Sequence, residues 1–478
     1  MRPLEIVFAV LGGFAAICLL TDKWRVLGRV FAALSLFGFA GEVVWEGAHW
    51  QMVPAYLALG VLCIGALNKG GKPLLRRKFL VCVPVLLLLT ASAGISWMLP
   101  MFHLPKPTGP YPVGTTILYL KDASRIEDAS GVPGQPRELM VQIWYPAGAS
   151  SNRWARYREP KETNLTSSYQ SEIATNSRLD APVASAGAPF PVIVFNHGWG
   201  SRRTNDTFLT EELASHGYVV ASIDHTYNAK LVVFPDGREA HYNTAHDVEY
   251  PDGSTPERVK AVWNKELAKQ TADERFVLDR LEAMNLDSQS PWHERLNTHL
   301  AGAIGHSFGG SAAVELCAVD SRVHGAINMD GWFFQAIESR GPNQALLYFD
   351  TSDDSMELPP KPNGGVGDAL NASDSAELAA SLRRYGGFVL MLRGAEHDDF
   401  TDQPLVSPLP RFSHRGTIPA PELEAILRTY VLAFFDETLH GKESEALHSK
   451  ASLFPEATLE SWSGEAGAAS SGPPIPGK

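Results

Sequence analysis

Polar residues almost vanish from four stretches at the start of the chain: Leu4 to Leu20, Val26 to about Val44, Trp50 to Leu67, and Phe79 to Leu99. None carries a charge at its centre, and the charges they contain, Glu5, Arg29 and Glu42, lie near their ends. At 1.5 Å per residue, segments of about 17 to 21 residues reach roughly 26 to 31 Å, matching a hydrocarbon core of about 30 Å. Buried helices of a soluble protein rarely come four in succession with so little polar face. Residues 1–100 are therefore expected to form four transmembrane helices. The first stretch alone would suit a secretory signal, but its basic n-region is weak and three more spans follow. Ala91-Ser92-Ala93 offers a small-residue cleavage site, so a released form is the minor alternative.

Beyond a Pro-rich connection (Pro100, Pro105, Pro107, Pro110, Pro112) the period changes. Thr115–Leu120 and Leu139–Trp144 read as an antiparallel pair. Short, nearly continuous apolar runs follow at 191–195, 218–223, 299–304, 323–328, 345–349 and 388–392, as expected of strands buried on both faces of a parallel sheet. Helical patterns at 204–216, 257–284, 309–318 and 421–439 lie between or after them. The expected class is α/β, a mostly parallel sheet covered on both sides. Three polar stretches, 147–188, 231–256 and 350–375, read as surface loops, of which those at the C-terminal strand ends would shape a pocket. The expected organisation is a membrane region (1–100), a catalytic domain (101–445) and a tail (446–478) that is disordered from about Glu460.

Charge sharpens this division. The whole chain of 478 residues carries a net -12, but the first hundred hold nine Lys and Arg against four Asp and Glu, a balance of +5, so the remainder carries -17. An acidic domain is unsuited to nucleic acid, which demands clustered Lys and Arg. Lys23 and Arg25 follow the first stretch, and Lys69, Lys72, Arg76, Arg77 and Lys78 follow the third, whereas only Glu42, Glu46 and His49 lie between the second and third. By the positive-inside rule both termini lie across the membrane from the cytoplasm, with the large domain periplasmic or extracellular. Cys317 is the only cysteine past the spans, so that domain can form no internal disulfide.

The most informative motif is Gly305-His306-Ser307-Phe308-Gly309-Gly310, between an expected strand and helix. A tight turn there lifts a serine hydroxyl out of the sheet, and glycines two positions either side let strand and helix approach. Serine needs a base to take its proton. His397, after the last expected strand, is the best candidate of fifteen histidines, with His414 second. The acid orienting the imidazole is open between Asp330 and Asp350, with Asp353 and Asp354 close behind. Oxyanion donors are expected from the Phe308 N–H and from the loop Asn196-His197-Gly198-Trp199-Gly200, with Trp199 N–H preferred and no chemistry assigned to His197. His225, His241, His246 and Asp247 cluster on paper but lack metal-ligand spacing, and Asp398, Asp399 and Asp402 read as a solvated turn. No dinucleotide fingerprint is present, so no cofactor and no metal are expected.

From about Gly109 to Leu439 the chain resembles the platelet-activating factor acetylhydrolase group of α/β-hydrolases, including its bacterial members. The likeness rests on PYPVGTTILYLKD, RELMVQIWYP, FPVIVFNHGWGSRRT, LASHGYVVASIDH, IGHSFGG, INMDGW and the late histidine segment. It implies an α/β-hydrolase fold with Ser307 as nucleophile, Asp330 as acid, His397 as base, and Trp199 and Phe308 as oxyanion donors. Asp330-Gly331-Trp332 matches the family's D-A-W-like segment except at Gly331, and Asn196 stands where Ser is common. The resemblance implies a Ca²⁺-independent esterase of phospholipids with a short or oxidised sn-2 acyl chain. The alternatives are a general carboxylesterase or polyester hydrolase, an acyltransferase, and a non-catalytic membrane scaffold. Oligomeric state is left open.

Overall fold

The computed structural model describes all residues except 21–22, 68–74, 149–151, 244–254, 335–336, 338–339, 342–343, 352–364, 410–414, 450 and 466–478. Its contacts divide the chain into two compact units: Met1–His103 with Arg156–Ala174 and Leu405–Ser413, and a larger unit holding the rest.

The first unit is built on α1 (Pro3–Leu20), α2 (Arg25–Gly41), α3 (Val53–Leu67) and α4 (Leu75–Met98). Three helical stretches, Pro3–Leu20, Arg25–Glu46 and Phe79–Met98, are long and apolar enough to cross a membrane. The third expected span falls short. A 3₁₀ turn at Trp50–Met52 takes up its start, and α3 has only 15 residues, about 22 Å of rise. Small residues face inward, with Ala15, Ala16, Ala32 and Ala58 packed beside Leu62, Cys82 and Val85, while Val26, Phe37, Ile64, Leu80 and Leu87 face outward. Polar groups gather where α1 begins and α2 ends. Arg2 pairs with Glu5 at 3.0 Å and Glu42 at 3.2 Å, and His49 Nδ1 lies 3.0 Å from Glu5. The stretch 156–174, expected as a loop of the catalytic domain, belongs to this unit. Glu172 pairs with Arg2 at 3.1 Å, and the Trp50 indole donates to the Thr166 carbonyl at 3.1 Å.

In the second unit β1 (Val113–Ile126) and β2 (Pro136–Pro146) form the expected antiparallel pair, joined by short β3 (Trp154–Arg156) and β4 (Ala174–Leu179). The expected buried strands are β5 (Phe190–Asn196) and β6 (Val219–Asp224), then β9 (Leu296–His306), β10 (Val323–Met329), β11 (Ala345–Asp350) and β12 (Gly387–Leu392). A hairpin of β7 (Leu231–Val233) and β8 (Glu239–His241) stands apart in the polar stretch after β6. With a last strand β13 (Ala457–Trp462), the eleven-stranded sheet runs β13-β12-β11-β10-β9-β5-β6-β2-β1-β4-β3, parallel from β12 through β6. Every residue of β5 and β6 is buried, which explains their unbroken apolar character. Helices α5 (Thr207–Ser215), α6 (Pro256–Leu286), α7 (Phe308–Val319) and, late in the chain, α9 (Ala420–His440) match the expected patterns.

Besides the short β3, β4, β7 and β8, which lie in stretches expected as loops, two longer elements escaped the pattern. α8 (Val366–Tyr385) begins inside the expected 350–375 loop, because its Asp, Asn and Ser content masks a weak apolar stripe at Leu370, Leu378 and Leu382. β13 (Ala457–Trp462) pairs antiparallel with β12, so the tail supplies an edge strand through Trp462 before the described residues end. The expected solvated turn is also corrected. Asp399 is buried and accepts the Glu396 and Gly416 N–H groups at 2.9 and 2.8 Å. Asp402 is buried and accepts the Thr207 and Phe208 N–H groups at 2.8 and 3.2 Å, where α5 offers unpaired donors and a positive dipole end.

Candidate active site

The strand ends that carry the site are flush. Register pairs Asn196 of β5 with Gly305 of β9, His306 of β9 with Met329 of β10, and Met329 with Phe349 of β11. The residues just past these ends therefore meet at one edge of the sheet, where ligands bind in open α/β folds. Ser307 occupies the turn between β9 and α7 with φ 55° and ψ -127°, a strained conformation that exposes its side chain. Its N–H donates to the Met329 carbonyl at 2.8 Å. A Cβ at Gly305 would overlap the Gly309 carbonyl, and one at Gly309 would overlap the Asn196 carbonyl, which is why this elbow demands glycine at both places.

Asp330 leaves β10 with φ 58°, its N–H donating to the Phe349 carbonyl at 3.0 Å. This turn swings its carboxylate toward the loop after β12. Asp330 Oδ2 accepts from His397 Nδ1 at 2.6 Å, and Oδ1 accepts the Thr351 hydroxyl at 3.2 Å. Burial tends to lower the basicity of His397, but the hydrogen bond and charge of Asp330, with the charge of Asp398, more than offset it and raise its pKa. The His397 carbonyl lies 2.7 Å from Nε2 of His306, whose own pKa burial and the charge of His397 push down to about 3. His306 thus stays neutral and steadies the loop. Asp350 lines the same cavity, but the imidazole is engaged by Asp330. Asp353, Asp354 and His414 lie outside the described residues.

The cavity is about 700 Å³ and is lined by Ser307, Asp330 and His397 together with Trp199, Trp263, Phe308, Trp332 and Phe334. The Trp199 and Phe308 rings meet edge to face at 4.8 Å, and Trp263 stacks on Trp332 at 4.5 Å. Phe308 opens α7, where backbone N–H groups are unpaired within the helix. A Cβ at Gly198 would stand 3.1 Å from Cβ of Ser307, so the loop after β5 runs against the serine. Residues of α6 and α8 also line the cavity, as a wall held by Lys260, which pairs with Asp374 at 3.2 Å and Glu377 at 2.6 Å. Sequence reasoning missed this wall. Trp263 of α6 carries no local signal that it faces a cavity, and the apolar stripe of α8 is weak.

Beneath the loop lies a buried polar chain. Asn196 bonds Glu274 with its side-chain amide and lies 3.2 Å from His225 Nε2, while His225 Nδ1 donates to Asp273 at 3.0 Å and Arg137 holds Asp273 at 2.6 Å. His225 is therefore a core residue, whereas His241 is exposed and pairs with Glu239 at 3.1 Å. His246 and Asp247 lie outside the described residues.

Comparison with known proteins places the chain in a family. The family model described as platelet-activating factor acetylhydrolase, isoform II, matches residues 98–346, more than half of the chain. The chain belongs to that family. A curated relative, the platelet-activating factor acetylhydrolase of Cavia porcellus, is 25% identical over 284 residues, 53% of this chain and 63% of that enzyme. The chain thus spans less than two thirds of that relative. A probable 1-alkyl-2-acetylglycerophosphocholine esterase of Arthroderma benhamiae is 24% identical over 418 residues, covering 77% of this chain and 96% of that protein. Among solved structures, a ferulic acid esterase from Streptomyces cinnamoneus superposes with a TM-score of 0.58 at 31% identity, covering 75% of this chain and 99% of that one. The α/β-hydrolase fold expected for this platelet-activating factor acetylhydrolase family member is the fold observed. The family match ends before His397.

Proposed function

We propose that this chain is a membrane-anchored serine ester hydrolase. The observation that carries the reading is the 2.6 Å pairing of His397 with Asp330 on the cavity that also exposes strained Ser307. Ser307 Oγ attacks the ester carbonyl while His397 Nε2 takes its proton. Asp330 keeps Nδ1 protonated and offsets the imidazolium charge. The Trp199 and Phe308 N–H groups receive the oxyanion, the latter at the positive end of α7. His397 then protonates the departing alcohol, and water activated by the same imidazole releases the acyl group.

The substrates are short-chain acyl esters of phospholipids or related amphiphiles, in keeping with the names of the Cavia porcellus and Arthroderma benhamiae relatives. A second reading, esters bearing an aromatic ring, is favoured by the stacked tryptophans and by the ferulic acid esterase likeness. Turnover of p-nitrophenyl acetate, a short-chain phospholipid and an aryl-propenoyl ester by wild type and Ser307→Ala tests both. Equal rates in the two proteins would end the mechanism, and the ratio among esters chooses the substrate. Added alcohol acceptors that yield new esters would turn the reading to acyl transfer.

The N-terminal helices supply the anchor. Their large apolar side chains point outward around a small-residue interior, an arrangement suited to lipid. With the basic connections in the cytoplasm, the catalytic unit works on the outer side. Reporter fusions at Lys72 and at the C-terminus should give opposite signals, and a cytoplasmic signal from the C-terminal fusion would overturn the orientation.

A further inference from the structure

The loop after β5 contains a histidine that the mechanism leaves unused. His197 is fully buried, and each ring nitrogen has a backbone partner. Nδ1 lies 2.7 Å from the Gly198 carbonyl oxygen, which can only accept, so Nδ1 carries the proton. Nε2 accepts the His225 N–H at 3.3 Å, which fixes that tautomer. Burial, with the charge of His225 next, pushes His197 down to about 4, so the ring is neutral at working pH and both bonds persist.

The Gly198 carbonyl and the Trp199 N–H belong to one peptide unit. In a trans peptide the two point to opposite sides of one plane, and resonance keeps that plane rigid. Holding the carbonyl therefore aims the N–H. The Ser201 N–H donates to the same oxygen at 3.0 Å, so the plane is held at two points, and Gly198 lies against Ser307. We propose that His197 is a positioning residue that aims the Trp199 N–H at the oxyanion through its hydrogen bond to the Gly198 carbonyl. This rests on the ester hydrolase reading and on Trp199 as an oxyanion donor.

The test separates the two nitrogens. In His197→Asn the amide nitrogen takes the place of Nδ1 and keeps the donor to Gly198, whereas the acceptor toward His225 is lost. In His197→Gln the amide reaches the place of Nε2 and the donor to Gly198 is lost. With p-nitrophenyl acetate, the asparagine variant should keep kcat within about threefold of wild type even if its Tm falls. The glutamine variant should lose about 10- to 100-fold in kcat with KM little changed, less than a deleted donor costs because Ser201 still holds the plane. His197→Ala repeats the loss if the glutamine variant fails to accumulate. Wild-type kcat in His197→Gln, or equal losses in both variants that track Tm, would overturn the proposal. Undiminished turnover by Ser307→Ala would instead remove the hydrolase reading beneath it.

Discussion

Asp330 and His397, 67 residues apart in sequence, meet at 2.6 Å because β10 and β12 end at the same edge of the sheet. The sharp turn at Asp330, with φ 58°, brings the carboxylate to Nδ1 of the imidazole, while Asp350 ends the strand between them without taking that bond.

Asp330→Asn should therefore lower kcat by about 10⁴-fold, while Asp350→Asn leaves most activity. The pH profile gives a second check. The base works only when neutral, and Asp330 raises the pKa of His397, so the acid limb of kcat/KM should lie above the ordinary histidine value of about 6.5. In Asp330→Asn the limb should move downward. An unmoved limb, or loss of turnover only in Asp350→Asn, would assign the acid elsewhere.

Gly331 replaces the alanine of the family segment, and the structure supplies a reason. A Cβ there would overlap the Ser307 carbonyl and stand 2.7 Å from Asn328 Oδ1. Both are fixed, since the Ser307 carbonyl accepts the Gly310 N–H at 2.9 Å, and the Asn328 side chain accepts the Gly331 N–H at 2.8 Å and donates to the Gly331 carbonyl at 3.0 Å. Gly331→Ala should cost about 1 to 3 kcal/mol by chemical denaturation, the usual range for overpacking, with kcat reduced as the elbow shifts.

Glu274 is buried at the end of the chain that supports Asn196. Burial first, and then the charges of Asp273, Glu315 and Asp320, raise it well above the carboxylate range despite the Asn196 hydrogen bond. In the unfolded chain it ionises near pH 4.3. Between that value and its raised folded pKa, the unfolded state gains by ionising while the folded state does not, so stability falls as pH rises. Glu274→Gln removes this penalty. Its advantage over wild type should be absent below about pH 4 and grow by up to about 1.4 kcal/mol per pH unit above it. Denaturation midpoints at pH 4, 6 and 8 that run in parallel would show Glu274 ionised in the fold.

Trp263 reaches the cavity from α6 and stacks on Trp332, whose indole donates to Asn371 at 3.0 Å. Trp263→Ala should lower kcat/KM for aryl-bearing esters by about tenfold relative to acetyl esters, since ring stacking is worth about 0.5 to 1.5 kcal/mol beyond area. An unchanged ratio would remove this wall from substrate recognition.

What the sequence determined was what depends on local order. The apolar runs gave the parallel strands, the glycines around Ser307 gave the elbow, and the motif order gave the family. Ser307 and His397 were legible because each follows a strand. The choice between Asp330 and Asp350 was open from strand position alone, because both follow strands; the family resemblance favoured Asp330, and the turn geometry pairs it with His397. Tertiary structure also decided what His197, Asp402 and Trp263 contact. A histidine in a glycine loop, an aspartate in an acidic run and a tryptophan on a helix have no local signature of the carbonyl, helix end or cavity they meet. Such roles arise where segments far apart in the chain are brought into contact, which no period along the sequence encodes.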